Sequence, residues 1–149
     1  MSKRRERGSD LTFHPAEERR WEDLAELFGA RGACGGCWCM VWRLPRSEFE
    51  RGKGGTNRRR LRKLVTSGAA PGVLAYAEGR AVGWCAVAPR QAYSFLARSR
   101  VLREVDARSV WSISCLFVRK THRRQGVSSR LLPAAVDFAA ARGAEAVEG

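Results

Sequence analysis

The chain reads Trp111-Ser112-Ile113-Ser114-Cys115-Leu116-Phe117-Val118 at the point that decides its fold. This run is rich in β-branched and aromatic residues and contains no glycine or proline. Such composition is typical of a strand that is covered on both faces. We therefore predict a buried central strand over residues 111–118.

A basic turn that contains a glycine follows this strand directly. Residues 119–128 read Arg-Lys-Thr-His-Arg-Arg-Gln-Gly-Val-Ser, and apolar residues then recur at helical spacing from Val127 to Ala141. The first turn of a helix carries unpaired N–H groups and partial positive charge. Because Gly126 has no side chain, phosphate oxygens can approach the main chain there. The order strand, glycine turn and helix predicts an anion site.

The six residues Arg123–Ser128 resemble the Arg/Gln-x-x-Gly-x-Gly/Ala signature of the GNAT acetyltransferase family, with Ser128 where the family prefers Gly or Ala. The resemblance extends over roughly residues 70–149. It implies an α/β (α+β) fold with a mixed, mostly antiparallel central sheet flanked by helices. It also implies an acetyl-CoA-dependent N-acetyltransferase that moves an acyl group to an amine of a small molecule or peptide.

Other elements are predicted from spacing and turn residues. Apolar residues at helical spacing indicate a helix from Ala16 to Phe28, and Ser47 is expected to cap a helical region that reaches Thr66 with glycine interruptions. The turn Glu-Gly-Arg at 78–80 predicts a hairpin. The expected strands are Leu11–Pro15, Gly72–Ala77, Ala81–Val87 and one that begins near Ala144.

Two features conflict with the resemblance. Members of the family normally continue with another helix and two strands, so we expect a single domain over 11–149 that is incomplete at its C-terminus, after a disordered basic tail at 1–10. A homodimer in which a partner supplies the missing wall is one consequence. Pro133 is the second conflict, since a proline inside a helix costs about 3 kcal/mol. A kink, or a helix that starts at Ser128 or Ser129, would accommodate it.

The resemblance assigns a role to each residue of the anion site. The backbone of Leu116, Phe117 and Val118 would pair with the pantetheine arm of acetyl-CoA. The residues expected to bind its pyrophosphate are Arg123, Arg124, Gln125, Gly126, Val127 and Ser128.

Residues 111–118 contain no carboxylate, so the proton acceptor must come from elsewhere. Glu104 and Asp106 lie just upstream and are candidates, although a solvated loop explains them equally well. Cys115 is a candidate nucleophile, with a packed core thiol as the alternative. Arg90 and Tyr93 are candidates to line a cleft for the acceptor amine.

The formal net charge of +13 favours polyanions of any kind. A basic nucleic-acid-binding module is therefore an alternative function, although the chain has no zinc-finger pattern or recognition helix. A GNAT-like interaction protein without activity is a third interpretation.

Composition also indicates the cellular compartment. No apolar run approaches the length of a membrane span, and five cysteines without a secretion signal predict reduced thiols in the cytoplasm. Cys34 and Cys37 form a Cys-x-x-Cys pair, which is half of a zinc site, and Cys39 could add a third thiolate. No second Cys or His pair follows at a suitable spacing, so a fourth ligand would have to come from distant Cys85 or His14. No metal is therefore expected.

Overall fold

Five strands form one sheet in the order β1-β2-β3-β4-β5 in the computed structural model, which describes residues 10–94 and 108–149. Strands β1 to β4 pair antiparallel, and β5 runs parallel to β4. The predicted mixed, mostly antiparallel sheet is therefore confirmed. The strands are β1 Leu11–Pro15, β2 Gly72–Ala77, β3 Arg80–Pro89, β4 Val110–Val118 and β5 Ala146–Glu148.

The described helices agree with the predicted segments, with shifted starts. A 3₁₀ turn at Glu18–Arg20 precedes the first helix, which ends where Gly29 takes a φ of +66°. The expected cap at Ser47 is wrong, because the second helix begins after Pro45. The predicted glycine interruption is found at Gly54, whose φ is +90°. The helices are α1 Trp21–Phe28, α2 Arg46–Arg51, α3 Gly55–Thr66 and α4 Val127–Ala141.

Apolar side chains cover both faces of the sheet. On one face, here called the α1 face, α1, α3 and the segment 38–40 pack around Trp84. The indole of Trp84 meets Phe28 with 6.0 Å between ring centroids and donates a hydrogen bond to Sγ of Cys39 at 3.3 Å. The opposite face, the α4 face, is covered by the buried side of α4, which comprises Val127, Leu131, Ala135 and Ala139.

Strand β4 is not buried along its whole length, so that prediction is wrong for most of the run. Only Trp111 and Ser112 are buried, and Leu116 is 40% exposed. Ala86 pairs with Cys115 and Val87 with Ile113, so Ser114 is an extra residue that bulges from the ladder. Strand β5 pairs with residues 110–112 alone. Within the described chain, the rest of that edge of β4 has no neighbouring strand, and its side chains remain partly open.

Helix α4 contains Pro133, and it begins at Val127 rather than at the alternatives Ser128 or Ser129. A proline has no N–H to donate to the carbonyl four residues earlier, which belongs to Ser129. Both residues are exposed, so water can replace the lost hydrogen bond. None of the described helices has the length and apolar character that crossing a membrane requires.

Candidate active site

A cleft of about 710 Å³ lies between the second half of β4 and the start of α4. Eight of the nine residues predicted to bind the cofactor line it, together with His122 and Ser129. The exception is Gln125, whose side chain donates to the carbonyl of Thr121 at 3.0 Å. The lining residues from the prediction are Leu116, Phe117, Val118, Arg123, Arg124, Gly126, Val127 and Ser128.

The main-chain amides of residues 126–129 are the free donors of this cleft. In the described part of the chain, none of them donates to a backbone carbonyl or to a capping side chain. The first helical bond runs from the amide of Arg130 to the carbonyl of Gly126 at 3.2 Å. Gly126 has a φ of +78°, and no atom lies within 4 Å of the place a Cβ would take. Open amides at the positive end of a 15-residue helix form a site that suits a phosphate group.

The arginines of the basic turn have different environments. Arg119 is largely buried and donates to the carbonyl of Ala81 at 2.7 and 3.1 Å while it pairs with Glu26. Arg123 donates from Nε to the carbonyl of Val118 at 2.9 Å and lies over the ring of Phe117. Arg119 thus joins α1 to the sheet, whereas Arg123 is held against the wall of the cleft.

Arg124 differs from both of these arginines. It is exposed and has a φ of +61°, a conformation that favours glycine. Its charge therefore stands at the mouth of the cleft on a strained main chain.

A second group of polar side chains lies at the first half of β4 and is here called the polar cluster, which comprises Arg90, Tyr93, Ser112, Ser114 and Glu148. Oγ of Ser112 donates to Oε1 of Glu148 at 2.7 Å, and Arg90 pairs with the same carboxylate. These hydrogen bonds, first that from Ser112 and then that from Arg90, lower the pKa of Glu148 against the opposing effect of burial. Glu148, whose side chain is 44% exposed, is therefore ionised at neutral pH.

Two donors of the polar cluster are buried, and within the described residues neither has a partner at full hydrogen-bond geometry. They are Nη2 of Arg90 and the hydroxyl of Tyr93, on residues that are 5% and 0% exposed. Burial raises the pKa of Tyr93, while Ser114 and Arg43 approach its oxygen as hydrogen-bond donors and oppose that rise. The guanidinium of Arg43 stacks on the Tyr93 ring at 4.9 Å, and its carbonyl accepts a hydrogen bond from Ser94. The segment around Arg43 thus borders the polar cluster.

Cys115 lies between the cleft and the polar cluster. It packs half-buried on the α1 face, and its thiol interacts with that of Cys39. The hydrogen bond between the two thiols lowers the pKa of Cys115, although burial opposes this effect. The same hydrogen bond and burial both raise the pKa of Cys39. Among the described residues no group of His, Cys, Asp or Glu side chains is arranged to hold a metal ion.

The predicted acceptor residues Arg90 and Tyr93 therefore lie side by side, whereas Glu104 and Asp106 lie outside the described residues. Sequence reasoning missed Ser112 and Glu148. Glu148 ends a three-residue strand, a pattern too short to assign by alternation. Its signal was positional: a strand that follows β4 and a helix is expected to return parallel to β4, and here its register places Glu148 opposite Ser112.

Comparison with solved structures gives the same architecture. An aminoglycoside N-acetyltransferase, AAC(6')-Iy in complex with CoA, superposes with a TM-score of 0.60 at 18% identity, over 97% of this chain and 80% of that chain. A ribosomal-protein-alanine N-acetyltransferase from Brucella melitensis biovar Abortus 2308 gives 0.55 at 15% identity, over 94% and 78%. At such identities the likeness shows the fold alone.

Sequence comparisons give the family. No curated protein sequence matches the chain significantly. The profile of the acetyltransferase (GNAT) family matches residues 38–148, which include both the cleft and the polar cluster. This match covers well over half of the chain, and the chain therefore belongs to the GNAT family of acetyltransferases.

Proposed function

We propose that this chain transfers the acetyl group of acetyl-CoA to an amine of a small molecule or peptide. The observation that carries the proposal is the row of unpaired amides at residues 126–129, beside an unobstructed Gly126. Membership of the GNAT family and neighbours that were crystallised with CoA support N-acetyltransfer in general. The residue roles below are part of the proposal.

The cleft offers the donor two kinds of contact. The amides of Gly126, Val127 and Ser128 bind the pyrophosphate, and Arg124 adds its charge. The edge of β4 at Leu116–Val118 presents main-chain groups to the extended pantetheine arm, as a sheet edge does to an added strand. One of its carbonyls, that of Val118, already accepts a hydrogen bond from Arg123, so pairing there uses the remaining groups.

The polar cluster offers a carboxylate to the acceptor. An amine must lose its proton before its nitrogen attacks the thioester carbonyl, and the carbon–sulfur bond then breaks to release a thiolate that takes up a proton. Ionised Glu148 attracts the ammonium form of the amine and receives its proton, directly or through one water molecule. Glu104 and Asp106 remain alternative acceptors of this proton.

Direct transfer to the amine gives Cys115 no chemical step. An acyl-cysteine route would require a base beside that thiol, and the two histidines of the chain bind elsewhere: His14 meets Tyr76, and His122 contacts Thr121. We therefore expect Cys115→Ala to retain acetylation. Accumulation of an acetyl group on Cys115, seen by mass spectrometry of the intact protein, would instead support the covalent route.

Thermal stabilisation by acetyl-CoA tests the proposal. A ligand that binds only the native state stabilises it by about 2.7 kcal/mol at 100 times Kd. We expect acetyl-CoA to raise the Tm, and Arg124→Glu to weaken this effect, because a negative charge then faces the phosphates. An unchanged Tm at millimolar acetyl-CoA would refute the proposal.

Nucleic-acid binding stays a second candidate because of α3. This helix exposes Arg59, Arg62 and Lys63, and no acidic residue lies within it. A nonspecific electrostatic complex loses affinity steeply with salt. Duplex DNA that binds at physiological salt while acetyl-CoA has no effect would favour this candidate over the transferase.

A further inference from the structure

Within the described residues, the polar cluster contains more hydrogen-bond donors than acceptors to receive them. Glu148 accepts from Ser112 and pairs with Arg90, but among the described residues neither Nη2 of Arg90 nor the hydroxyl of Tyr93 has a hydrogen-bond acceptor. Arg43 adds a second guanidinium over the Tyr93 ring. We propose that the acceptor amine carries an anionic oxygen group, a carboxylate or a phosphate, that binds at Arg43, Arg90 and Tyr93. This inference rests on the proposed function.

Buried donors without partners cost free energy, and proteins rarely keep them. Here two such donors lie on residues three positions apart, where the amide of Tyr93 donates to the carbonyl of Arg90 at 3.1 Å. Oxygen atoms of an anion would satisfy both, and hydrogen bonds to a charged group are about twice as strong as neutral ones. Among the described residues, these two unsatisfied donors therefore mark a place where a hydrogen-bond acceptor is missing.

Two carboxylates of α1 already have partners away from the polar cluster. Glu26 pairs with Arg80 and Arg119, and Asp23 accepts a hydrogen bond from Tyr76 at 2.6 Å. An amine substrate with several positive charges would therefore be repelled by Arg43 and Arg90, and Glu148 would be the carboxylate of the polar cluster that attracts it. The net charge of +13 adds long-range repulsion of the same sign.

The layout of the polar cluster suits a ligand with both charges. Glu148 is held at Ser112, while Tyr93 lies near Ser114, two residues further along β4. Two residues of a regular strand span roughly 7 Å, which separates the Tyr93 end of the site from Glu148, whereas Arg90 lies directly beside Glu148. An amine whose anionic group lies a few bonds away bridges this distance with a hydrogen bond at each end. An amino acid and an aminoalkyl phosphate both fit this description.

Matched substrate pairs test the inference. We would measure acetyl-CoA-dependent N-acetylation of the twenty L-amino acids against their amides, and of phosphoethanolamine against ethanolamine, with kanamycin and spermidine as polycations. The expected result is at least a tenfold higher kcat/KM for the anionic member of one or more pairs. A carboxylate source gives this preference with the amino acids, and a phosphate source gives it with phosphoethanolamine.

Equal rates within every pair, preference for a polycation, or acetyl-CoA binding without acetylation of any anionic amine would each overturn the inference. The first two of these results would leave the proposed function in place. Failure of acetyl-CoA to bind would instead refute the proposed function itself, so the two failures are distinguishable.

Two variants separate ligand binding from a structural role. Tyr93→Phe and Arg43→Gln should each raise the KM of the anionic amine about tenfold, with little change in kcat or in the KM of acetyl-CoA. Arg51→Gln, on the exposed side of α2, is the matched control for lost charge. If Tyr93 is only a core residue, its phenylalanine variant removes an unsatisfied hydroxyl, raises the Tm and leaves every KM unchanged. That outcome would overturn the assignment.

Discussion

The two halves of β4 carry sites of different construction. At the second half, residues 116–118 and the following turn present main-chain groups around a glycine, and the side chains mostly line the walls. At the first half, Ser112 donates to Glu148 of β5, and Arg90, which directly follows β3, pairs with the same carboxylate. The bulge at Ser114 separates the two halves.

Under the proposed function, this difference would let the fold keep acetyl-CoA as its donor while the amine substrate changes. A site made of backbone amides depends on a helix start and a glycine, so most side-chain substitutions leave it intact. A site made of side chains from separate segments changes with each substitution. Predictions that perturb one half while sparing the other test this division.

The largest effect is expected at Gly126. In Gly126→Val, the new side chain projects into the open space of the cleft and keeps phosphate oxygens from the amides. Loss of two charge-assisted hydrogen bonds of about 2 kcal/mol each corresponds to a roughly 1000-fold weaker Kd for acetyl-CoA. Isothermal titration calorimetry measures it.

The matched control is Gly79→Val. Gly79 has a φ of +77° and open space around it, in the hairpin between β2 and β3. Both variants therefore place a valine at a similar positive φ, and only the first should lose affinity. Equal losses would show that strain, and not blockage, is responsible.

Glu148→Gln is expected to lower kcat/KM for the amine about 100-fold, as removal of a general base does, with the Kd of acetyl-CoA unchanged. Glu145→Gln is its control, because Glu145 lies on the same segment and accepts from the amide of Ser109 at 3.1 Å. Steady-state kinetics with each substrate varied in turn separates the two constants. Full activity of the Glu148 variant would transfer the role to Glu104 or Asp106.

The pH dependence of the reaction should follow the state of Glu148. Its pKa is lowered in the folded protein, so the active carboxylate persists even somewhat below the ordinary value of 4.5 and is lost only as the pH falls through the lowered pKa. The hydrogen bonds of the Glu148 carboxylate also stabilise the folded protein, and this stabilisation is lost as the pH falls through the lowered pKa. Ser112→Ala removes the leading cause and should move the acidic limb of kcat/KM to higher pH. An unmoved limb would contradict this assignment.

Substitutions of Arg124 and Arg119, in the same turn, should have smaller effects: the first mainly on acetyl-CoA affinity and the second mainly on stability. Arg124→Gly relieves a positive φ, so it should maintain or raise the Tm while it weakens acetyl-CoA binding several-fold at low salt. Arg119→Gln should lower stability by about 2 kcal/mol, since it loses the bonds to Ala81 and Glu26, with little effect on affinity. Thermal denaturation and calorimetry on both variants measure these contrasts. A reversed pattern would mean that Arg119 faces the ligand.

The sequence predicted the main-chain half of this picture better than the side-chain half. Gly72–Ala77 and the helix Val127–Ala141 have the predicted bounds, because local spacing and turn residues determine them. The burial of β4 was overestimated, since the bulge at Ser114 has no compositional signal. The bond between Ser112 and Glu148 joins residues 36 positions apart, and no local pattern records such a contact.

Amide hydrogen exchange with and without acetyl-CoA tests the central claim most directly. The claim is that the amides of residues 126–129 are free in the unliganded protein and bind the diphosphate. We predict fast exchange at Gly126–Ser129 that slows markedly when acetyl-CoA is added, with smaller protection at Leu116–Val118. Amides that are already protected without ligand, or that exchange equally fast when acetyl-CoA is bound, would contradict it.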